Sequence, residues 1–391
     1  MRTEEPMTNS TLTRLYRDER GMSLVFVGVG FMAFLAATTL AIDVGMFMTA
    51  RSQAQNSADA GALAGAVALA FDDYDDRSAG GPAVQNALTT ARENDVIDAD
   101  VDVQPADVTF PLSPQGLDNR VRVQVYRTSA RGNSVPTLMG KFFGVAQVNI
   151  QAVATAEASP ANAMTCVKPF IIPDRWVENT NPPWDPDDTF DLYDNQNNPL
   201  SNADQYIPAG QPGYAGYNQE SDRGARLVIR AGSGNNIQPT FYYSLALGGM
   251  SGTGGADYDW NIANCNTTII HMGDIVIQEP GNMVGPTIDG AEGLIARDPN
   301  AYWDNTRKKV ISAQNPSPRV FPIPLYDPVY YTIGKMNGRY ADFKVANWIG
   351  FFLESIQNNQ LYGRIIPIGG IIDQNYPMNP GAFPKAIRLV E

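Results

Sequence analysis

From Met22 to Ile42 the chain reads MSLVFVGVGFMAFLAATTLAI, without a charged residue from end to end. About 21 residues at about 1.5 Å of rise each make roughly 30 Å of helix, the thickness of a bilayer's hydrocarbon core. The core helix of a soluble protein keeps a polar face, and no face here has one. A cleaved secretory signal would have a shorter apolar core, of about 7 to 15 residues, with a small-x-small site just beyond it. Here Asp43-Val44-Gly45-Met46-Phe47 carries on in helical style instead. Residues 22–42 therefore read as a transmembrane helix.

Basic residues give the orientation. Arg14, Arg17 and Arg20 stand just before the span, and the next basic residue is Arg51. Lys and Arg on short flanks stay on the cytoplasmic side, while acidic residues such as Asp18 and Glu19 count little. Residues 1–21 are expected to be a cytoplasmic tail, polar and without apolar period over 1–13. Everything after Asp43 is expected to be exported.

The exported part, about 350 residues, is long enough for two domains with cores of their own. The net charge is -13, and the four basic and four acidic groups of residues 1–21 cancel, so the acidic excess lies outside. Such a surface repels nucleic acid and anionic lipid. Both cysteines of the chain, Cys166 and Cys265, fall in the exported part. An oxidising compartment permits a disulfide, and two cysteines leave one intramolecular pairing.

Beyond the span, VGMFMTARSQAQNSADAGALAGAVALA is rich in helix formers and meets no proline before Pro82, so the helix is expected to leave the membrane unbroken as an exported helix within 43–75. Ala54, Ala58, Ala62 and Ala66 recur every fourth residue, with Gly61 and Gly65 in a second row beside them. Such rows let another element approach closely. That element is either the helix's own domain or a neighbouring subunit, on different faces if both. A carboxylate among small residues, Asp59, is expected at the edge of the packing face near Gln55, because burying it alone is costly.

Glu19-Arg20-Gly21, the span, Ala41-Ile42-Asp43-Val44-Gly45, Ala50-Arg51, Gln55-Asn56-Ser57-Ala58-Asp59-Ala60 and Ala62-Leu63-Ala64-Gly65-Ala66 together resemble the N-terminal region of TadG-like proteins of the bacterial tight-adherence, or Flp-type, pilus assembly system. RVRVQV and VNIQAVATAEA extend the resemblance to about residue 158. It implies a single-pass protein of the bacterial inner membrane, working with pilus-assembly or pilin-like partners in the periplasm or cell envelope.

Residues 76–160 read as a small α+β module. A short helix is expected over Val84–Asn94 and a helix over Pro136–Val145. Strands are expected over Val101–Phe110, around Val121, Val123 and Val125, and over Val148–Ala156, where apolar residues alternate. Ser159-Pro160-Ala161-Asn162 is a candidate boundary. Residues 161–391, rich in Pro, Gly, Asn and aromatics, carry short apolar runs between turn signals at Arg226–Arg230, Thr240–Leu247, Thr267–His271, Ile275–Gln278 and Arg364–Ile368. A helix is expected over Gly285–Arg297, and Val345–Ile356 fits strand or helix. The fold class is α+β, with a mostly β C-terminal domain.

No catalytic set emerges. The one histidine, His271, lies in an apolar run, where a structural role is the commoner one. Gly249-Met250-Ser251-Gly252-Thr253 has Thr where a nucleophile elbow needs Gly. Gly28-Val29-Gly30-Phe31-Met32-Ala33 spells a dinucleotide fingerprint inside the span, with no strand before it. Asp76-Arg77-Ser78-Ala79-Gly80 misses the last position of a von Willebrand-type Asp-x-Ser-x-Ser site. For calcium, the weak candidates are Asp257, Asp259 and Asn261, and Asp185 and Asp187 with Asp188, Asp191 and Asp194 beside them. Ile262 stands where the first group needs a glycine, and Thr268 where it needs a Glu; turns capped by Asp and Asn are the plainer reading. The expectation is a non-enzymatic, membrane-anchored structural component of a Tad-type pilus assembly or secretion apparatus, with no cofactor, nucleic acid or small-molecule substrate. A surface-binding module or adhesin with calcium-stabilised loops is the alternative, and an envelope hydrolase with an Asp/Glu pair a third. A polymerised pilin is disfavoured: pilins are typically cut after a Gly such as Gly21 and carry Glu at the fifth mature position, but here Phe26 stands there and no acidic residue follows before Asp43.

Overall fold

The computed structural model describes residues 19–73, 75–232, 236–247, 254–336 and 342–390. The uninterrupted run of helix formers gives one helix, α1, Glu19–Phe71, of 53 residues. At about 1.5 Å per residue it is roughly 80 Å long. Over the apolar stretch the side chains project outward all round, with Leu24 76%, Met32 73% and Leu40 66% exposed. The hydroxyls of Thr38 and Thr39 donate to the carbonyls of Phe34 and Ala36, which satisfies the polar groups within the span. The helix is long and apolar enough to cross a membrane.

The next elements are α2, Pro82–Arg92, β1, Val108–Thr109, β2, Arg120–Arg127, β3, Val135–Pro136, β4, Gln147–Val148, and β5, Ile150–Pro160. In β2 the alternation places Val121, Val123, Val125 and also Arg127 on the buried face. Arg127 is accommodated there by donating to the carbonyls of Val96, Ala99 and Asn133.

Two expectations fail here for local reasons. Over 101–110, Val101 and Val103 are buried on either side of the half-buried Asp102, but the alternation stops there, and Pro105 lacks the donor a ladder needs. The chain instead makes a single bridge, Asp102 to Tyr126, a 3-10 turn at Pro105–Asp107 and the two-residue β1. Over 136–145 the apolar pairs imitate helical spacing, yet the segment is a hairpin between β3 and β4 with a 3-10 turn at Gly140–Phe143. Gly144 adopts a left-handed φ of 86°, and Thr137 Oγ1 donates to Val145 O at 2.6 Å, so the chain reverses rather than coils.

The remaining elements are β6, Ala163–Met164, β7, Phe170–Pro173, β8, Arg226–Ala231, β9, Phe241–Ser244, α3, Gly255–Ala263, β10, Ile270–His271, β11, Ile275–Ile277, and α4, Val284–Arg297. They are followed by β12, Tyr302–Asp304, β13, Lys309–Ile311, β14, Val320–Tyr326, α5, Pro328–Met336, β15, Asp342–Gln357, β16, Gln360–Ile366, and β17, Lys385–Leu389. The ambiguous stretch 345–356 is thus strand. Seven strands form one sheet in the order β11-β15-β14-β7-β9-β8-β16, and β16 also pairs with β15, so six of them close into a barrel. Closure removes the open edges that an extended sheet would expose. Phe170, Ile172, Phe321, Ile323, Ile349, Phe351 and Ile365 fill the main core. A separate four-stranded sheet has the order β1-β2-β5-β17.

The chain clusters into two compact units. The first holds the described residues up to Ala62 with Ala87–Thr109 and Arg122–Ala154. The second holds Leu63–Asn86, Phe110–Val121 and the chain from Thr155 onward, and includes the barrel.

Candidate functional site

In the first unit the small-residue face of α1 is buried, with Ala54 at 1% exposure and Ala58 and Ala62 at 0%. Gly61 is the tightest point: a Cβ there would stand 3.0 Å from Ala87 O, 3.0 Å from Ala91 Cβ and 3.4 Å from Val123 Cγ1. The absent side chain thus lets α1 close on α2 and β2. Ser57, on the same face, donates its hydroxyl to Ala91 O at 2.8 Å. Gln53 Oε1 accepts from Ile97 N at 2.9 Å. Asp59 is half-buried and takes the Gln55 amide at 2.8 Å, while that amide also reaches Val153 O. In the second unit Gly65 and Ala66 are buried as well, and the Gln219 amide caps the helix at Ala70 O, 2.6 Å away.

One contact has no counterpart in the sequence reading. Asp43, at 4% exposure, accepts three backbone amides of the 138–140 turn: Leu138 N at 2.9 Å, Met139 N at 3.1 Å and Gly140 N at 2.6 Å. Burial pushes this carboxyl up, but the amides of Leu138, Gly140 and Met139 outweigh it and hold it below the usual carboxylate range. The signal was present in the sequence: a lone carboxylate directly after an apolar span demands partners.

In the second unit Cys166 and Cys265 form a disulfide across a separation of 99 residues. Beside it Lys168 donates to the carbonyls of Ile262 and Asn264. Burial, and secondarily Arg297, pushes its ammonium down to about 7. Asp174 is fully buried and takes the Tyr206 and Tyr214 hydroxyls at 3.1 and 3.2 Å. Desolvation pushes it up to about 7 despite those bonds.

His271 is fixed from three sides: Nε2 lies 3.0 Å from Asp373 Oδ2, Nδ1 lies 3.5 Å from Asp274 Oδ2, and Tyr376 stacks on the ring at 3.6 Å. Asn162 secures the same loop, taking Asp373 N and donating to the carbonyls of Asp373 and Tyr376. Asp257, Asp259 and Asn261 lie on α3 and not on an open loop, and Asn261 Oδ1 accepts from Asn266 at 2.8 Å. Asp185 and Asp188 accept from the backbone amides of Asp187 and Asp185, and Asp194 from Gln196 and Asn198, as capped turns do. Among the described residues no group of three or more His, Cys, Asp or Glu is arranged to hold a metal ion. A cavity of about 310 Å³ in the second unit is lined by five acidic residues, Asp72, Asp73, Asp75, Asp118 and Glu220, against three basic ones, Arg223, Lys308 and Lys385. Residues 249–253, with Arg14 and Arg17, lie outside the described residues.

No curated protein and no solved structure matches the chain. Residues 21–68, the span and the small-residue helix that follows it, match the family model described as Putative Flp pilus-assembly TadE/G-like.

Proposed function

We propose that this chain is a membrane-anchored structural component of a Tad/Flp-type pilus assembly or secretion apparatus, with its N-terminus in the cytoplasm and its bulk exported from the inner membrane. The observation that carries the reading is α1 itself. One helix exposes apolar residues on every side over 24–42 and then buries a small-residue face from Ala54 to Ala66, within the segment that matches a pilus-assembly family. The first half suits lipid; the second anchors a folded unit. Arg14, Arg17 and Arg20 supply the cytoplasmic anchor. Asp43, the first acidic residue after Gly21, is engaged by amides of its own chain, so it does not serve as the free carboxylate that a pilin offers a neighbour's amino terminus. This supports a permanent membrane protein beside the filament over a polymerised subunit.

The test is crosslinking in intact membranes of the source cells, followed by extraction and identification of the attached proteins. Pilus-assembly proteins are expected among them, and their genes are expected beside this one. Recovery of the protein in the alkaline wash of the membranes, or crosslinks to no pilus-assembly protein, would sink the proposal.

A further inference from the structure

We infer that the 138–145 turn is a second membrane contact: an apolar finger held at the bilayer surface by Asp43, its side chains seated at the boundary between headgroups and acyl chains. The inference rests on the membrane reading of residues 22–42. The turn is an exposed patch of Leu138, Met139, Phe142, Phe143 and Val145, with Phe142 74% and Phe143 68% exposed. Contiguous apolar patches of this kind are rare on free surfaces and mark contacts.

Its place is set by backbone bonds. Asp43 directly follows the last residue of the span, and it holds Leu138 N, Met139 N and Gly140 N within 3.1 Å. A helix rises about 1.5 Å per residue, so the turn lies within one helical turn of the level where the apolar stretch ends. A span of roughly bilayer thickness puts that level at the membrane interface, where aromatic side chains collect. Lys141, whose ammonium is 5.5 Å from the Phe142 ring, suits a headgroup phosphate there. The neighbouring surface of α1 is apolar too, with Ile42, Val44 and Met48 exposed. Lipid is thus continuous from the span to the turn. Asp43 is tolerated at this depth because the amides of Leu138, Met139 and Gly140 donate to its carboxylate.

The experiment uses the full chain, unreduced so that Cys166 and Cys265 remain paired, reconstituted in phosphatidylcholine bilayers. Single cysteines placed by Phe142→Cys and, separately, Phe143→Cys carry a nitroxide. Collisions with lipid-soluble oxygen are compared with those of a water-soluble nickel chelate, against Met32→Cys in the span and Glu93→Cys on the exposed surface. The expected oxygen-to-nickel ratio at 142 and 143 is several-fold above that at 93 and below that at 32. Adding Asp43→Ala is expected to move it toward the value at 93. A ratio at 142 and 143 equal to that at 93, with 32 still deep, overturns the finger while leaving the span intact. Protection from both reagents at 142 and 143 would mean that protein covers the turn, and would overturn the lipid assignment. A water-like ratio at 32 would instead remove the membrane reading on which the inference rests.

Discussion

Replacing Gly61 tests whether the small-residue face of α1 works by close approach. Gly61→Ala gains about 1 kcal/mol of helix propensity. Against it stand two contacts at 3.0 Å, one of them with the carbonyl oxygen of Ala87, which belongs to the backbone of α2 and cannot swing aside. Overpacking of this kind costs about 1–3 kcal/mol, so the alanine variant is expected to be neutral to modestly destabilised. Gly61→Leu adds three further carbons where Ala87, Ala91 and Val123 already close the space within 3.4 Å. The cost then sits at the upper end of that range, and about 2 kcal/mol remains after the gain in propensity. All five tryptophans, Trp176, Trp184, Trp260, Trp303 and Trp348, lie in the second unit, so intrinsic fluorescence does not report on this face. Hydrogen exchange followed by mass spectrometry does. A loss of about 2 kcal/mol raises the opening equilibrium, and with it the exchange that follows that equilibrium, roughly thirtyfold in peptides covering α2 and β2. Met48→Leu, on the same helix at a 70% exposed position, is expected to change nothing. Wild-type exchange rates in α2 and β2 of the Gly61→Leu protein would refute the packing argument.

Removing the disulfide by Cys166→Ser with Cys265→Ser opens a 99-residue separation, worth up to about 4.7 kcal/mol by chain entropy; tryptophan fluorescence should show the second unit unfolding at lower urea, and thiol titration of the unreduced, unfolded wild type should find no free cysteine. Asp174 keeps its proton in the fold up to about 7, whereas the unfolded chain loses it near 3.8. Its contribution to stability therefore falls as pH rises through that window, by on the order of 4 kcal/mol in all, and Asp174→Asn should flatten the fall seen in urea midpoints. Lys168 works in the opposite sense: the unfolded chain holds its proton up to about 10.5 and the fold releases it near 7, so stability rises across that range. Lys168→Met should abolish the rise.

What the sequence disclosed follows from how local each signal is. The span, the unbroken α1 and the buried Ala and Gly rows needed only composition and a period within one helix, and β2 only an alternation. The 136–145 segment misled because the exposed pairs Leu138-Met139 and Phe142-Phe143 have helical spacing for a reason unrelated to a helix. The hairpin depends on Asp43, some 95 residues earlier in the chain. Barrel closure was illegible for a similar reason: β16 pairs with β15 next to it and with β8 far upstream, and no short window records the second pairing. Asp257-x-Asp259-x-Asn261 has the residues of half a calcium loop, yet Tyr258 and Ile262 are buried among the apolar core, and that burial draws the stretch into α3. The pairing of Cys166 with Cys265 was legible because no other intramolecular partner existed.

A permanent anchor beside the filament and a polymerised subunit differ in the state of the N-terminus. Cells would be separated into sheared filaments and extracted membranes, and the protein in each digested with chymotrypsin for mass spectrometry. The protein is expected in the membranes, with peptides running unbroken through Arg20, Gly21 and Met22. A mature N-terminus at Met22, on protein recovered from the sheared filaments, would contradict the permanent anchor.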